Sequence, residues 1–210
     1  STHTTPNPVS LNSLLNEMVN EGCTHCFMEV SSHAVVQNRI HGVQFKGGVF
    51  TNISHDHLDY HKTFDAYIKA KKKFFDDLSR DAFALVNIDD KNGSVMLQNT
   101  LAQKYNFALK TPADFKAKII ENDISGLILN MDGKEFYSIL IGRFNAYNLL
   151  TVFATATLLG EDKLTILSAL SNLSSVDGRF QYVKGQKGPT AIVDYAHTPD
   201  ALENVLSTIN

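Results

Sequence analysis

Gly48-Val-Phe-Thr-Asn-Ile53 and Ala82-Phe-Ala-Leu-Val-Asn-Ile88 are short apolar runs, and the stretch between them carries Phe64, Tyr67, Ile68, Lys71, Phe74 and Phe75 broadly on one helical face. Apolar runs of this length, each ending in polar residues, read as strands buried on both faces. A helix between two such strands is the repeat of a parallel sheet. Toward the N-terminus, Cys26–Val30 is expected to be another buried strand. It follows an amphipathic helix in which Leu11, Leu14, Leu15, Met18 and Val19 recur at three- and four-residue spacing, and which Gly22 can cap. Toward the C-terminus the period changes. Lys116–Asn122 and Leu127–Met131 alternate as strands, and Asp132-Gly133 is a strong hairpin turn into Glu135–Ile141. Helices are expected over Phe144–Leu159, ended by Gly160, and over Lys163–Leu173. A buried strand over Ala191–Val193 and a helix over Pro199–Ile209, opened by Thr198, complete the chain. The expected class is α/β: a mostly parallel, doubly wound sheet with helices on both faces, plus a small antiparallel β-sheet. The Gly- and Lys-rich segment 185–189 reads as a linker, so residues 1–182 are expected to form one domain and 183–210 the linker and start of another.

Bulk properties narrow the function. The 210 residues are 43% hydrophobic and 20% charged, which is ordinary for a globular chain able to bury a core. A formal charge of −3, from 19 basic and 22 acidic residues, argues against a nucleic-acid binder, which needs a basic excess. No apolar stretch is long enough to span a bilayer, and Ser1–Ser10 lacks the pattern of a secretory signal, so a cytoplasmic location is expected. Cys23 and Cys26 form a lone Cys-x-x-Cys with no second pair to complete a zinc site, and they read as reduced structural thiols. The basic run Lys69, Lys71, Lys72 and Lys73 reads, from charge alone, as a solvated helix face.

Ligands of open α/β sheets gather at the carboxyl ends of strands. Three expected strand ends carry dense polar residues: Glu29-Val-Ser-Ser-His33, Asn52–His61 and Asn87–Asp90. The middle one packs three His and two Asp into the seven residues 55–61. Such clusters are metal or acid–base sites. The residues alone leave open a hydrolytic transition-metal centre and a magnesium site serving a nucleotide.

Six segments then fall in one order: Glu29-Val-Ser-Ser-His-Ala-Val-Val-Gln-Asn-Arg39, Phe50-Thr-Asn-Ile-Ser-His-Asp-His-Leu-Asp-Tyr-His61, Tyr67-Ile-Lys-Ala-Lys71, Gly142-Arg-Phe-Asn-Ala-Tyr-Asn148, Asp177-Gly-Arg179 and Asp194-Tyr-Ala-His-Thr-Pro-Asp-Ala-Leu202. In this order and spacing the chain resembles Mur ligases of the MurE type over nearly its whole length. Other Mur ligases and folylpolyglutamate synthetases share the central fold but lack the Val-Ser-Ser-His…Gln-x-Arg and His-Leu-Asp-Tyr-His combination. Position 55 departs from the family pattern, and His55 is given no role.

The resemblance implies an ATP-dependent ligase acting on UDP-N-acetylmuramoyl-L-alanyl-D-glutamate, with ATP and a diamino acid as its other substrates. The diamino acid is expected to be meso-diaminopimelate, by frequency within the family. It implies magnesium held by Glu29, His57 and Lys71, with Lys71 carbamylated so that a cation becomes a carboxylate on a long arm. These three form the implied catalytic set, while Lys69, Lys72 and Lys73 keep the solvated-face reading. Thr4, Thr5, Ser31, Gln37 and Arg39 correspond to UDP-sugar contacts; read locally, Ser31 or Ser32 could instead cap the following helix. Asn148, Arg179, Asp194 and His197 correspond to ATP contacts. His33 and His61 are expected to orient neighbours. A monomer is expected, with no nucleic-acid or membrane partner. No Gly-x-x-x-x-Gly-Lys-Ser/Thr occurs in the sequence. The family order puts that phosphate loop before Ser1 and the amino-acid-selecting domain after Asn210, so the chain alone is expected to be inactive. Two readings from other classes stand beside this one, a metal-dependent phosphohydrolase and a non-catalytic UDP-sugar-binding module; neither requires the ordered set Lys71, Asn148 and Arg179.

Overall fold

The computed structural model describes residues 4–54, 61–174, 181–184, 190–196 and 199–209. It divides into two compact units, one comprising 1–86 and 91–104, the other 87–90 and 105–210.

In the first unit, helix α1 spans Pro8–Asn20. It starts where the Asn7 side chain accepts a hydrogen bond from the Ser10 N–H at 2.9 Å and Pro8 occupies the first turn, a position that tolerates its missing N–H. The short helix α2 (Ser32–Val36) follows, then strand β1 (Gly47–Phe50), helix α3 (Phe64–Asp76), strand β2 (Phe83–Asn87) and the single turn α4 (Gly93–Met96). β1 and β2 run parallel, Gly47 opposite Phe83 and Phe50 opposite Val86. All five residues of β2 are buried, as its unbroken apolar run requires. α3 buries Tyr67, Ala70 and Phe75 and packs against α2 and α4, with Phe50 and Phe75 meeting edge to face.

The second unit takes most of strand β3 (Gln103–Ala108), which pairs in parallel with β4 (Phe115–Asp123). Strands β5 (Gly126–Met131) and β6 (Lys134–Ser138) continue as an antiparallel meander. The β5–β6 turn is Asp132-Gly133, with φ of 53° and 74°, the two positive values of a type I′ hairpin. Helix α5 (Arg143–Leu158) lies against β4 and β5, and α6 (Lys163–Ser171) against α5 and β6. Together they bury Ala117, Leu127, Leu129, Leu149, Phe153, Ile166 and Leu170. Strand β7 (Gln181–Lys184) pairs antiparallel with β8 (Thr190–Val193), and helix α7 covers Pro199–Ile209. The division expected after residue 182 falls inside β7. Among the described residues, no helix is long and apolar enough to cross a membrane.

The α/β class with an added antiparallel sheet is the architecture observed, with four departures. Cys26–Val30 has no regular structure and Phe27 is 75% exposed. A strand exists only beside a ladder partner, and no strand pairs with these residues among those described. Ala191–Val193 is a strand, but Val193 is exposed and its partner is the antiparallel β7 rather than a buried parallel neighbour. Strand β3, Gln103-Lys-Tyr-Asn-Phe-Ala108, has no apolar run or clean alternation, so its pairing rather than its composition reveals it. Lys72 is buried, not on a solvated face; it is held by both carboxylate oxygens of Asp76, at 2.6 and 2.8 Å. Lys69 and Lys73 do lie on the solvated face, paired with Asp65 and Asp77 one turn away.

Candidate active site

The first cluster lies in the first unit and starts from a helix end. Ser31 accepts a hydrogen bond from the Ala34 N–H at 3.2 Å and so caps α2. The helix closes at Asn38, whose φ of 51° is the left-handed conformation of a helix C-terminus, while the Arg39 N–H bonds back to the Ala34 carbonyl at 2.8 Å. This reversal brings the side chains of Gln37 and Arg39 together. The Arg39 Nε donates to Gln37 Oε1 at 2.8 Å, and Nη2 donates to the same oxygen. Arg39 Nη1 donates to the Thr5 carbonyl at 3.0 Å. Thr5 is buried, and its hydroxyl donates to the Glu29 carbonyl at 3.0 Å. Thr5, Glu29, Gln37 and Arg39, separated by up to 34 positions, are thus tied into one group. Thr4 and the Glu29 side are exposed beside it.

The second cluster, in the same unit, surrounds the middle of α3. The hydroxyl of buried Ser32 is 2.8 Å from His61 Nε2. The His61 ring stacks on Tyr67 at 5.2 Å, and the His33 ring lies 5.5 Å from it at a tilt of 56°. Lys71 Nζ lies 5.2 Å from the centroid of the Tyr67 ring, one helical turn along. His61 therefore links α2 to the helix that presents Lys71. His57 and His55 lie outside the described residues, as do Arg179 and His197.

The third cluster belongs to the second unit; its Asn87–Asp90 strand end and Asn148 are expected from the sequence, whereas the bond between Asp89 and Tyr147 is not. Asp89, in the turn after β2, accepts five hydrogen bonds. Its donors are the N–H groups of Leu109, Lys110 and Thr111 at 2.7, 2.8 and 3.0 Å, the Thr111 hydroxyl at 2.7 Å and the Tyr147 hydroxyl at 2.8 Å. Partial burial pushes this carboxyl up, but the bonds from Thr111, Lys110 and Tyr147 together outweigh it and hold Asp89 well below the usual carboxylate range. Burial, then the bond to Asp89 and its charge, push the Tyr147 phenol well above its ordinary value. The next residue, Asn148, is exposed, with its amide donating to Asn145 Oδ1 at 3.3 Å. An Asn on an otherwise apolar helix can also be a satisfied core amide, and the exposure of Asn148 rules that out. Asp194 is half-buried and accepts from the Ala196 N–H at 2.7 Å. The sequence signals for this cluster were the acidic end of the β2 segment and the aromatic residue inside Asn145-Ala-Tyr-Asn148. Neither is distinctive without the fold. Cys23 and Cys26 are free, exposed thiols, so they are not packed into the structure.

Comparison with known proteins gives this geometry a family. Residues 1–156 match the Mur ligase middle domain, and residues 178–210 match the Mur ligase glutamate ligase domain. A UDP-N-acetylmuramoyl-L-alanyl-D-glutamate–2,6-diaminopimelate ligase of Cytophaga hutchinsonii is 61% identical over 209 residues, covering 100% of this chain and 43% of its own length. The ligase of the same name from Bacteroides thetaiotaomicron is 55% identical, covering 99% of this chain and 43% of its own. A solved structure of a ligase with that name superposes with a TM-score of 0.82 at 32% identity, over 98% of this chain and 44% of its own. The chain thus spans less than half the length of each of these relatives, and it belongs to the Mur ligase family.

Proposed function

We propose that this chain is the middle part of an ATP-dependent ligase that joins 2,6-diaminopimelate to UDP-N-acetylmuramoyl-L-alanyl-D-glutamate during peptidoglycan synthesis. The observation that carries the proposal is the hydrogen-bonded group in which Thr5, Gln37 and Arg39, assigned here to the UDP-sugar, are tied to Glu29, assigned here to magnesium. Residues 1–182 are assigned to the middle domain, and 183–210 to the linker and start of the C-terminal domain.

In the reaction proposed, the terminal D-glutamate carboxylate takes the γ-phosphoryl group of ATP, releasing ADP and forming an acyl phosphate. The amine of the diamino acid attacks the acyl carbon, phosphate leaves, and the amine gives up a proton as the amide forms. Two anions must approach each other in the first step, so charge screening dominates. Arg39 supplies a delocalised cation for the UDP-sugar, in a planar fork that Gln37 and the Thr5 carbonyl hold rigid. Thr4 and Ser31 are assigned to the same substrate through their hydroxyls, and the Ser31 hydroxyl also caps α2. Asn148, Arg179, Asp194 and His197 are assigned to the nucleotide.

Magnesium fits this set on one condition. The exposed Glu29 carboxylate offers the hard oxygen that magnesium favours, whereas a Lys71 ammonium repels it. Lys71 as a carbamate, with Glu29 and His57, would hold the ion, which when bound neutralises the phosphate oxygens.

The experiment is a ligation assay on the full-length protein. Phosphate release is expected only when ATP, the UDP-muramoyl dipeptide and 2,6-diaminopimelate are all present, with the amide product identified by mass. Arg39→Ala is expected to weaken binding of the UDP-sugar by about 1.5–3 kcal/mol, the range for a charge-assisted hydrogen bond. Phosphate release without the dipeptide, or unchanged affinity in Arg39→Ala, would reject the assignment.

A further inference from the structure

Helix α5 begins without a cap of its own. Its N-cap residue is Gly142, which has no side chain to accept from the first turn. The start of the helix is held by groups outside it. Asn122 Oδ1 accepts from the Gly142 N–H at 2.9 Å, and Asp89 accepts from the Tyr147 hydroxyl at 2.8 Å. Asp89 is itself immobile, because three successive N–H groups and the Thr111 hydroxyl also donate to it. These bonds occupy both carboxylate oxygens, so Asp89 is filled as an acceptor and is a poor choice for a metal ligand. Successive helical residues differ in direction by about 100°. Pinning the half-buried Tyr147 therefore sets where the exposed Asn148 points.

We infer that Asp89 and Tyr147 form a positioning pair, which holds the start of α5 in the rotation that presents Asn148 to a nucleotide. The inference rests on the assignment of Asn148 to ATP made above. Neither residue touches the nucleotide in this scheme. Asp89 is fixed at the end of β2 by the 109–111 backbone, and Tyr147 passes that position to the helix. A clamp serving stability alone would lower the melting temperature and leave the affinity of the folded protein for ATP unchanged. A positioning pair acts on ATP selectively.

The test uses the full-length protein and Tyr147→Phe, which keeps the ring and its packing but removes the hydroxyl, beside Asp89→Asn and Asn148→Ala. Direct binding of ATP and the KM for each substrate are measured. Tyr147→Phe and Asp89→Asn are expected to weaken ATP binding and raise its KM about tenfold, the loss of one hydrogen bond to a charged group. The KM for the UDP-sugar is expected to stay put. On the Asn148→Ala background, Tyr147→Phe is expected to add almost nothing, because the residue it positions is gone. Weakened ATP binding in Asn148→Ala with none in Tyr147→Phe would overturn the positioning inference alone. Unchanged ATP binding in Asn148→Ala itself would overturn the nucleotide assignment beneath it.

Discussion

Lys71 poses a conflict of charge that the structure sharpens. Its ammonium lies over the face of Tyr67, an attraction that favours the charged form. Carbon dioxide adds only to the neutral amine, so the carbamate proposed above would form against that attraction. An ammonium about 4 Å from a magnesium ion would be repelled by several kcal/mol even at an effective dielectric near 20. Relief of that repulsion would outweigh the ring contact, which is worth about 0.5–2 kcal/mol. Lys71→Ala in the full-length enzyme is expected to lower kcat by about 100-fold or more, as for loss of a preorganised charge at a phosphoryl-transfer site. Short-chain carboxylates should restore part of the rate, and 13C-labelled bicarbonate should give a carbamate NMR signal in the wild type. Full activity in Lys71→Arg, which cannot be carbamylated, would make the residue a helix-surface cation. Lys72, next in sequence, shows how little a run of lysines says about its members. It is buried against Asp76, while Lys69 and Lys73 pair in solvent.

Among the elements, the β4–β5–β6 meander places its demands on a few backbone positions. Gly126 opens β5 with a φ of 149°, and a Cβ there would sit 2.4 Å from the Ser138 carbonyl oxygen across the sheet. Backbone cannot give way as a flexible side chain can. Gly126→Ala is expected to destabilise the protein by about 1–3 kcal/mol, read as a lower midpoint in thermal or denaturant unfolding. A variant as stable as the wild type would mean that the β5–β6 register shifts to accommodate it. The hairpin at Asp132-Gly133 was legible because the turn chemistry is local: both residues need a positive φ, and this pair tolerates it. The demand for glycine at position 126 was not legible, since the constraint comes from Ser138, 12 positions away.

For the molecule as a whole, Asp89 couples stability to pH. Its folded-state pKa lies below the unfolded value, so the stability it contributes is present above the unfolded carboxylate range and is lost as pH falls through the folded value. The melting temperature of the wild type is expected to fall as pH drops below about 4, the ordinary carboxylate value, and that of Asp89→Asn to fall less. Equal slopes in the two proteins would assign the acid lability elsewhere, for instance to Asp123 and Asp162, whose carboxyls are also held low by hydrogen bonds. The chain order of amino acids was enough for the strands β1 and β2, the helix between them, the hairpin and the family motifs, because periodicity and turn preference act over a few residues. Three things needed the folded chain. The partner of each strand is one, which made β3 a strand and left Cys26–Val30 irregular. The closure of Thr5 onto Arg39 is another. The last is the Asp89–Tyr147 bond, between residues 58 positions apart. Hydrogen bonds and ladders at such separation depend on which surfaces the packed core brings together, and that depends on the whole chain at once.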